Sequence, residues 1–145
     1  MKERLQDDLK AAMKAHDNIR VMTIRGVLAE ITRTEKDTRH PATEAEVMAV
    51  LKRERGRREE ALGFARQGNR QDLIEQYEAE ARVLDGYIPA AVDAEQVRAA
   101  IAAEIDAGHN QIGSIMKSLR ERFGARLDNK LASDLIRSAL GKLSK

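Results

Sequence analysis

No cysteine and no tryptophan occur in the chain, and only two prolines, two tyrosines and two phenylalanines. Without cysteine there is no disulfide framework and no thiolate chemistry, and the composition fits a reducing compartment. With aromatics at 3%, bulky core fillers are few. No apolar run approaches the ~20 residues of a membrane span, so no membrane contact is expected. No glycine-rich phosphate loop is present; the glycines at 56, 63, 68, 108, 113 and 124 sit inside or just after helical patterns. The opening MKERLQDDLK is charged and acid-containing, unlike a secretory or transit segment. These absences lead to the expectation of a soluble cytoplasmic protein.

What is present favours helices. Apolar residues make up 42% and charged residues 34%, dominated by Ala, Leu, Ile, Glu and Arg. The fold class expected is all-α, with an N-terminal domain of about four helices over 1–89 and a small three-helix C-terminal domain over 93–145. Pro89–Val92 is the linker candidate. Leu5, Leu9 and Met13 recur at steps of four in a first helix over Glu3–Asp17, followed at Asn18 by a break or cap. Val21, Ile24, Leu28 and Ile31 share a side of the second helix, and Lys36–Pro41 reads as a charged turn. Thr43 with Glu46 forms a capping box for a third helix, in which hydroxyl and carboxylate satisfy each other's backbone amides. The centre of that helix, KRERGRREE, holds no apolar residue and is expected to project into water. Ala61, Leu62, Phe64 and Ala65 then restore an apolar stripe, and Asn69 is placed to cap a fourth helix. The third and fourth helices read as an antiparallel hairpin. Asp93 with Gln96 gives a second capping box for a fifth helix, which Gly108 stops.

The stretch Ile112–Leu140 reads as two amphipathic helices joined by a turn. Ile112, Ile115, Met116, Leu119 and Phe123 share one face, and Gly124 supplies the left-handed residue that ends the helix. Asp128 caps the last helix, whose apolar rows are Leu131, Leu135, Ala139 and Ile136, Leu140, Leu143. From His109 onward there are eight Lys/Arg against three Asp/Glu, so the chain's net charge of +2 conceals a basic tail.

Catalytic or metal chemistry finds little to build on. His16, His40 and His109 lie in different segments near expected helix ends, without zinc-binding spacing. Ser114 and Ser118 lack a nearby base, and Asp7/Asp8 and Glu59/Glu60 read as solvated charges. No metal, cofactor or catalytic residue is expected. Basic residues are the better lead. Lys52, Arg53, Arg55, Arg57 and Arg58 crowd one helical segment, either as a phosphate-binding ridge or as a solvated face balanced by Glu54, Glu59 and Glu60. Lys117, Arg120, Arg122, Arg126 and Lys130 cluster around the C-terminal turn and are poorly neutralised. With Phe123 assigned to the core, RNA contacts are expected to be to backbone and shape.

The segments IGSIMKSL and GARLDNKLASDLIRSAL resemble the C-terminal signature of the YqeY family, a module that also forms the tail of the B subunit of tRNA-dependent amidotransferases, GatB. Gly113, Met116, Gly124, Arg126, Asp128, Lys130 and Leu131 match its pattern. Ala125 is an extra residue, Leu127 replaces a small alanine and Asn129 replaces a second glycine. Upstream, LQDDLKAAMKAHD, IRGVLAEI and AEARVLDGYIP also resemble the family, so the likeness covers nearly the whole chain. It implies a binding partner in tRNA or another structured RNA, and a family label of carbon–nitrogen ligase with glutamine as amido-N-donor. The B subunit's phosphorylating site lies in a separate domain, so the chain alone is not expected to be catalytic. The alternatives are a helical adaptor docking on a synthetase or amidotransferase without RNA contact, and an enzyme whose residues assemble only in three dimensions.

Overall fold

The computed structural model describes residues 1–143, with side chains as far as Lys142. Its elements are α1 (Lys2–Lys14), α2 (Asn18–Thr38), α3 (Glu44–Gln67), α4 (Gln71–Asp85), α5 (Ala94–Asp106), α6 (Ile112–Phe123), a 3-10 turn (Gly124–Arg126) and α7 (Asn129–Leu143). No strand occurs among the described residues, and the fold is all-α. The chain divides into two compact units, Met1–Ile88 and Pro89–Lys145.

In the first unit, Leu5 of α1, Ile24, Val27 and Ile31 of α2, Val47, Val50 and Leu51 of α3, and Leu84 of α4 close a common core with Tyr87. Each large aliphatic side chain buried there contributes about 1.5–3 kcal/mol. Thr23, fully buried, donates its hydroxyl to the Ile19 carbonyl at 2.8 Å. Caps set the helix starts. Asp17 accepts from the Arg20 amide at 3.2 Å, so Asn18 is the first residue of α2 rather than its cap. Thr43 and Glu46 form the expected box, at 3.1 and 3.0 Å.

Several local expectations are corrected. α1 stops at Lys14, with His16 in the left-handed region, and Met13 is 47% exposed despite its spacing from Leu5 and Leu9. α2 runs through Lys36 to Thr38 before Arg39 turns left-handed. Glu35 braces that end, accepting from Lys2 Nζ and the Ala42 amide at 2.8 Å each. Those bonds, the Lys2 bond foremost, hold its carboxyl below the usual carboxylate range. Asn69 is left-handed and follows α3 instead of capping α4. Phe64 is 74% exposed. It lies two positions past Leu62, which turns it away from the side on which Leu62 and Ala65 are buried.

In the second unit, Val97, Ala100 and Ile101 of α5 meet Ile115, Met116 and Leu119 of α6 and Ala132 and Ile136 of α7, with Val92 and Leu127 completing the core. Leu135, Ala139 and Leu140 are only partly buried, and the side chain of Leu143 lies outside the described residues. Asp93 caps α5 through the Gln96 amide at 2.8 Å; only this half of the expected box is found among the described residues. Gly108 ends α5 at φ 97°.

Gly124 ends α6 at φ 57°, ψ −131°, a combination L side chains rarely adopt. A Cβ there meets nothing within 4 Å, so strain would come from the backbone alone. Gly124→Ala is therefore expected to destabilise the unit by about 1–2 kcal/mol. Gly113→Ala, equally uncrowded but at ordinary helical φ, should be neutral or stabilising. Thermal unfolding followed by circular dichroism compares the two; equal midpoints would refute the strain.

Candidate nucleic-acid interface

The two basic clusters singled out in the sequence have different surroundings. On α3, Arg55 lies between two carboxylates, Asp85 of α4 and Glu59, both at 2.7 Å. The Asp85 bond, then the Glu59 bond, push its guanidinium further above its usual range. Arg57 meets Glu54 at 2.7 Å, and Arg53 faces Glu30 of α2 at 3.6 Å. Arg58 pairs with Glu54 at 2.6 Å and with Glu80 of α4 at 3.3 Å. Lys52 is half-buried.

Glu54 and Glu80 are buried, 4% and 6% exposed, although the sequence led us to expect these turns to stand in water. They do not, because Glu54 and Arg58 continue the inward row of Val47, Leu51, Leu62 and Ala65, where Glu80 of α4 meets them. Gln76 adds an amide donor to Glu80 at 3.2 Å. Arg53, Arg55 and Arg58 thus link α3 to α2 or α4 through ion pairs, while Arg57 pairs within α3.

The C-terminal cluster is differently placed. Lys117, Arg120, Arg122, Arg126 and Lys130 are all exposed. None makes an ion pair among the described residues, although Glu121 lies on the same helix. Lys117 and Arg120, three apart, share a face of α6. Arg122, two residues past Arg120, points to a different side of α6, with Cζ 5.3 Å from the centroid of the Phe123 ring. Phe123, expected in the core, is only partly buried. Arg126 belongs to the 3-10 turn, and its Nε donates to the Ala90 carbonyl at 3.3 Å. Its own carbonyl accepts from the Val92 amide at 3.0 Å. Asp128 is occupied as the expected cap, accepting from the Leu131 amide at 3.1 Å. Lys130 follows in the first turn of α7.

Arg120 and Arg122 lie at the C-terminal end of α6, where the macrodipole favours cations. Lys130 lies at the opposite kind of terminus, where it disfavours them. Its charge therefore gains nothing from the helix it belongs to.

Elsewhere, a recess of about 360 Å³ lies between α5 and α7, floored by Ile101, Ile105, Leu135 and Ala139. Arg98, Asp106, Ser138 and Lys142 line it as well. Among the pairings that sequence reasoning missed, His109 Nδ1 lies 2.5 Å from Glu104 Oε2, both near the end of α5. The i,i+5 spacing was the available signal. Among the described residues no group of three His, Cys, Asp or Glu is placed to hold a metal. No described helix is long and apolar enough to cross a membrane.

The sequence model of the YqeY family, described as Yqey-like protein, matches residues 2–140. The chain belongs to that family. Among curated relatives, a protein of Pyrenophora tritici-repentis is 28% identical over 148 residues, covering 95% of this chain and 80% of the relative. One of Kluyveromyces lactis is 34% identical over 84 residues, covering 57% of this chain and 45% of the relative. One of Lachancea thermotolerans is 30% identical over 118 residues, covering 81% and 58%. The latter two matches thus span about half the length of those relatives. All three bear the name altered inheritance of mitochondria protein 41, mitochondrial. Those names overturn the cytoplasmic location expected from the sequence. The features behind that expectation, a charged opening and the lack of cysteine, fit any reducing compartment and do not single one out.

Proposed function

We propose that this YqeY-family chain binds the phosphate backbone of structured RNA through Lys117, Arg120, Arg122, Arg126 and Lys130. The resemblance to the amidotransferase B-subunit tail makes tRNA the first candidate. The observation that carries the reading is the contrast in neutralisation. Arg53, Arg55, Arg57 and Arg58 each have a carboxylate within ion-pairing distance, whereas the five C-terminal cations have none among the described residues. Lys130, set against the dipole of α7, strengthens it. Exposed cations without a carboxylate partner can release counterions from a polyphosphate without first breaking an ion pair. No catalytic step is assigned to the chain; its part is to hold RNA.

The test is an equilibrium titration of the intact protein with a tRNA transcript over a series of salt concentrations. Binding through roughly four or five phosphates should lower log K linearly with log salt, with a slope near −3 to −4. A flat salt dependence would instead favour the adaptor reading, and no binding at low salt would remove the RNA reading.

A further inference from the structure

We propose that Arg122, backed by Phe123, is a stacking plane for one unpaired nucleobase of the RNA whose phosphates the other cations hold. The inference rests on the RNA-binding reading above and adds to it a preference for RNA with a single-stranded loop or bulge.

Four observations carry it. Arg122 is exposed, and no carboxylate holds its guanidinium among the described residues. Its Cζ lies over the Phe123 ring, 5.3 Å from the centroid, within cation–π range. Phe123 is itself only half-sunk in the core of its unit, so its ring backs the guanidinium while remaining fixed by Leu119 and its neighbours. Gly124 follows, with no side chain of its own and nothing within 4 Å of where a Cβ would stand, so the next residue adds no bulk beside the pair.

A planar guanidinium held beside an aromatic ring has two further uses. Its edge N–H groups can reach a phosphate, and its outer face can take a base. The first use needs only charge; the second needs the plane. Lysine supplies the one and lacks the other, which separates them experimentally. In a chain so poor in aromatics, this is where base stacking coincides with the unpaired cations.

The experiment compares two RNA hairpins with the same stem and the same number of phosphates, one with an adenine loop and one with an abasic loop. Each is titrated against the full chain by fluorescence anisotropy at low salt. Wild type should favour the adenine loop by roughly fivefold or more. Arg122→Lys should lose that preference while binding the abasic hairpin within about twofold of wild type, because the charge remains. Phe123→Leu, which keeps an apolar group in the partly filled site, should reduce the preference in the same direction. Equal wild-type affinity for both hairpins, or an undiminished preference in Arg122→Lys, overturns the stacking plane and leaves the phosphate site standing. Absence of binding to either hairpin overturns the site itself.

Discussion

Arg120→Glu combined with Arg126→Glu is expected to weaken binding of structured RNA by about a hundredfold at low salt and to flatten the salt slope by about two. Each substitution removes one phosphate contact and replaces it with a repulsive charge. Two such losses of about 1.4 kcal/mol each account for that factor. Arg126 complicates the pair, because its Nε also donates to the Ala90 carbonyl and reversal there can loosen the turn. Lys117→Glu with Arg120→Glu avoids that contact, since both residues lie on one exposed face of α6. It should lose a similar factor with an unchanged thermal midpoint. Arg53→Ala on α3 should change RNA affinity by less than about twofold, its charge being matched already by Glu30. Should the α3 variant lose as much as the α6 pair, the partition between structural and ligand-facing cations is wrong.

Arg58→Ala is expected to destabilise the first unit by about 3 kcal/mol, lowering its unfolding midpoint by on the order of 15 °C. Its side chain is 17% exposed and bridges two carboxylates that are nearly inaccessible to water, Glu54 at 2.6 Å and Glu80 at 3.3 Å. Removing the bridge leaves Glu54 with Arg57 and Glu80 with the Gln76 amide, which is incomplete compensation for two buried charges. Arg57→Ala removes an arginine from the same helix whose side chain is 54% exposed, and should cost about 1 kcal/mol or less. The ordering of the two variants in thermal or denaturant unfolding is the measurement. If Arg58→Ala melts with wild type, the bridge is not what orders α3 against α4, and the ridge regains its claim as a ligand surface.

Much of the local structure was legible because it is decided by neighbours in sequence. The Thr43–Glu46 box, the Asp128 cap and the turn at Gly124 each depend on a few consecutive residues and were found where expected. The buried face of α6 followed from spacing alone. What failed was long-range. KRERGRREE reads as solvated only while Glu80, some two dozen residues on, is left out of account. The inward row itself was a signal, since Val47, Leu51, Glu54, Arg58, Leu62 and Ala65 keep helical spacing straight through the charged stretch. The same count, applied strictly, sets Phe64 outside. For the candidate site, both the identity of the basic residues and their sparse neutralisation were visible in sequence, but whether the one nearby carboxylate of the helix, Glu121, pairs with any of them was not. Lys117 and Glu121 stand at a spacing that permits an ion pair and make none among the described residues.

The turn that carries Arg126 is stitched at several points. The Val92 amide bonds its carbonyl, its side chain reaches Ala90, the Leu127 amide returns to Gly124, and Leu127 itself is 2% exposed. A loop so constrained has surrendered most of its backbone freedom on folding, so under the proposed RNA binding Arg126 would be offered from a preorganised backbone. The backbone part of the ordering entropy, which weakens recognition by floppy basic tails, would then be absent at this turn and only the side chains would remain to be ordered.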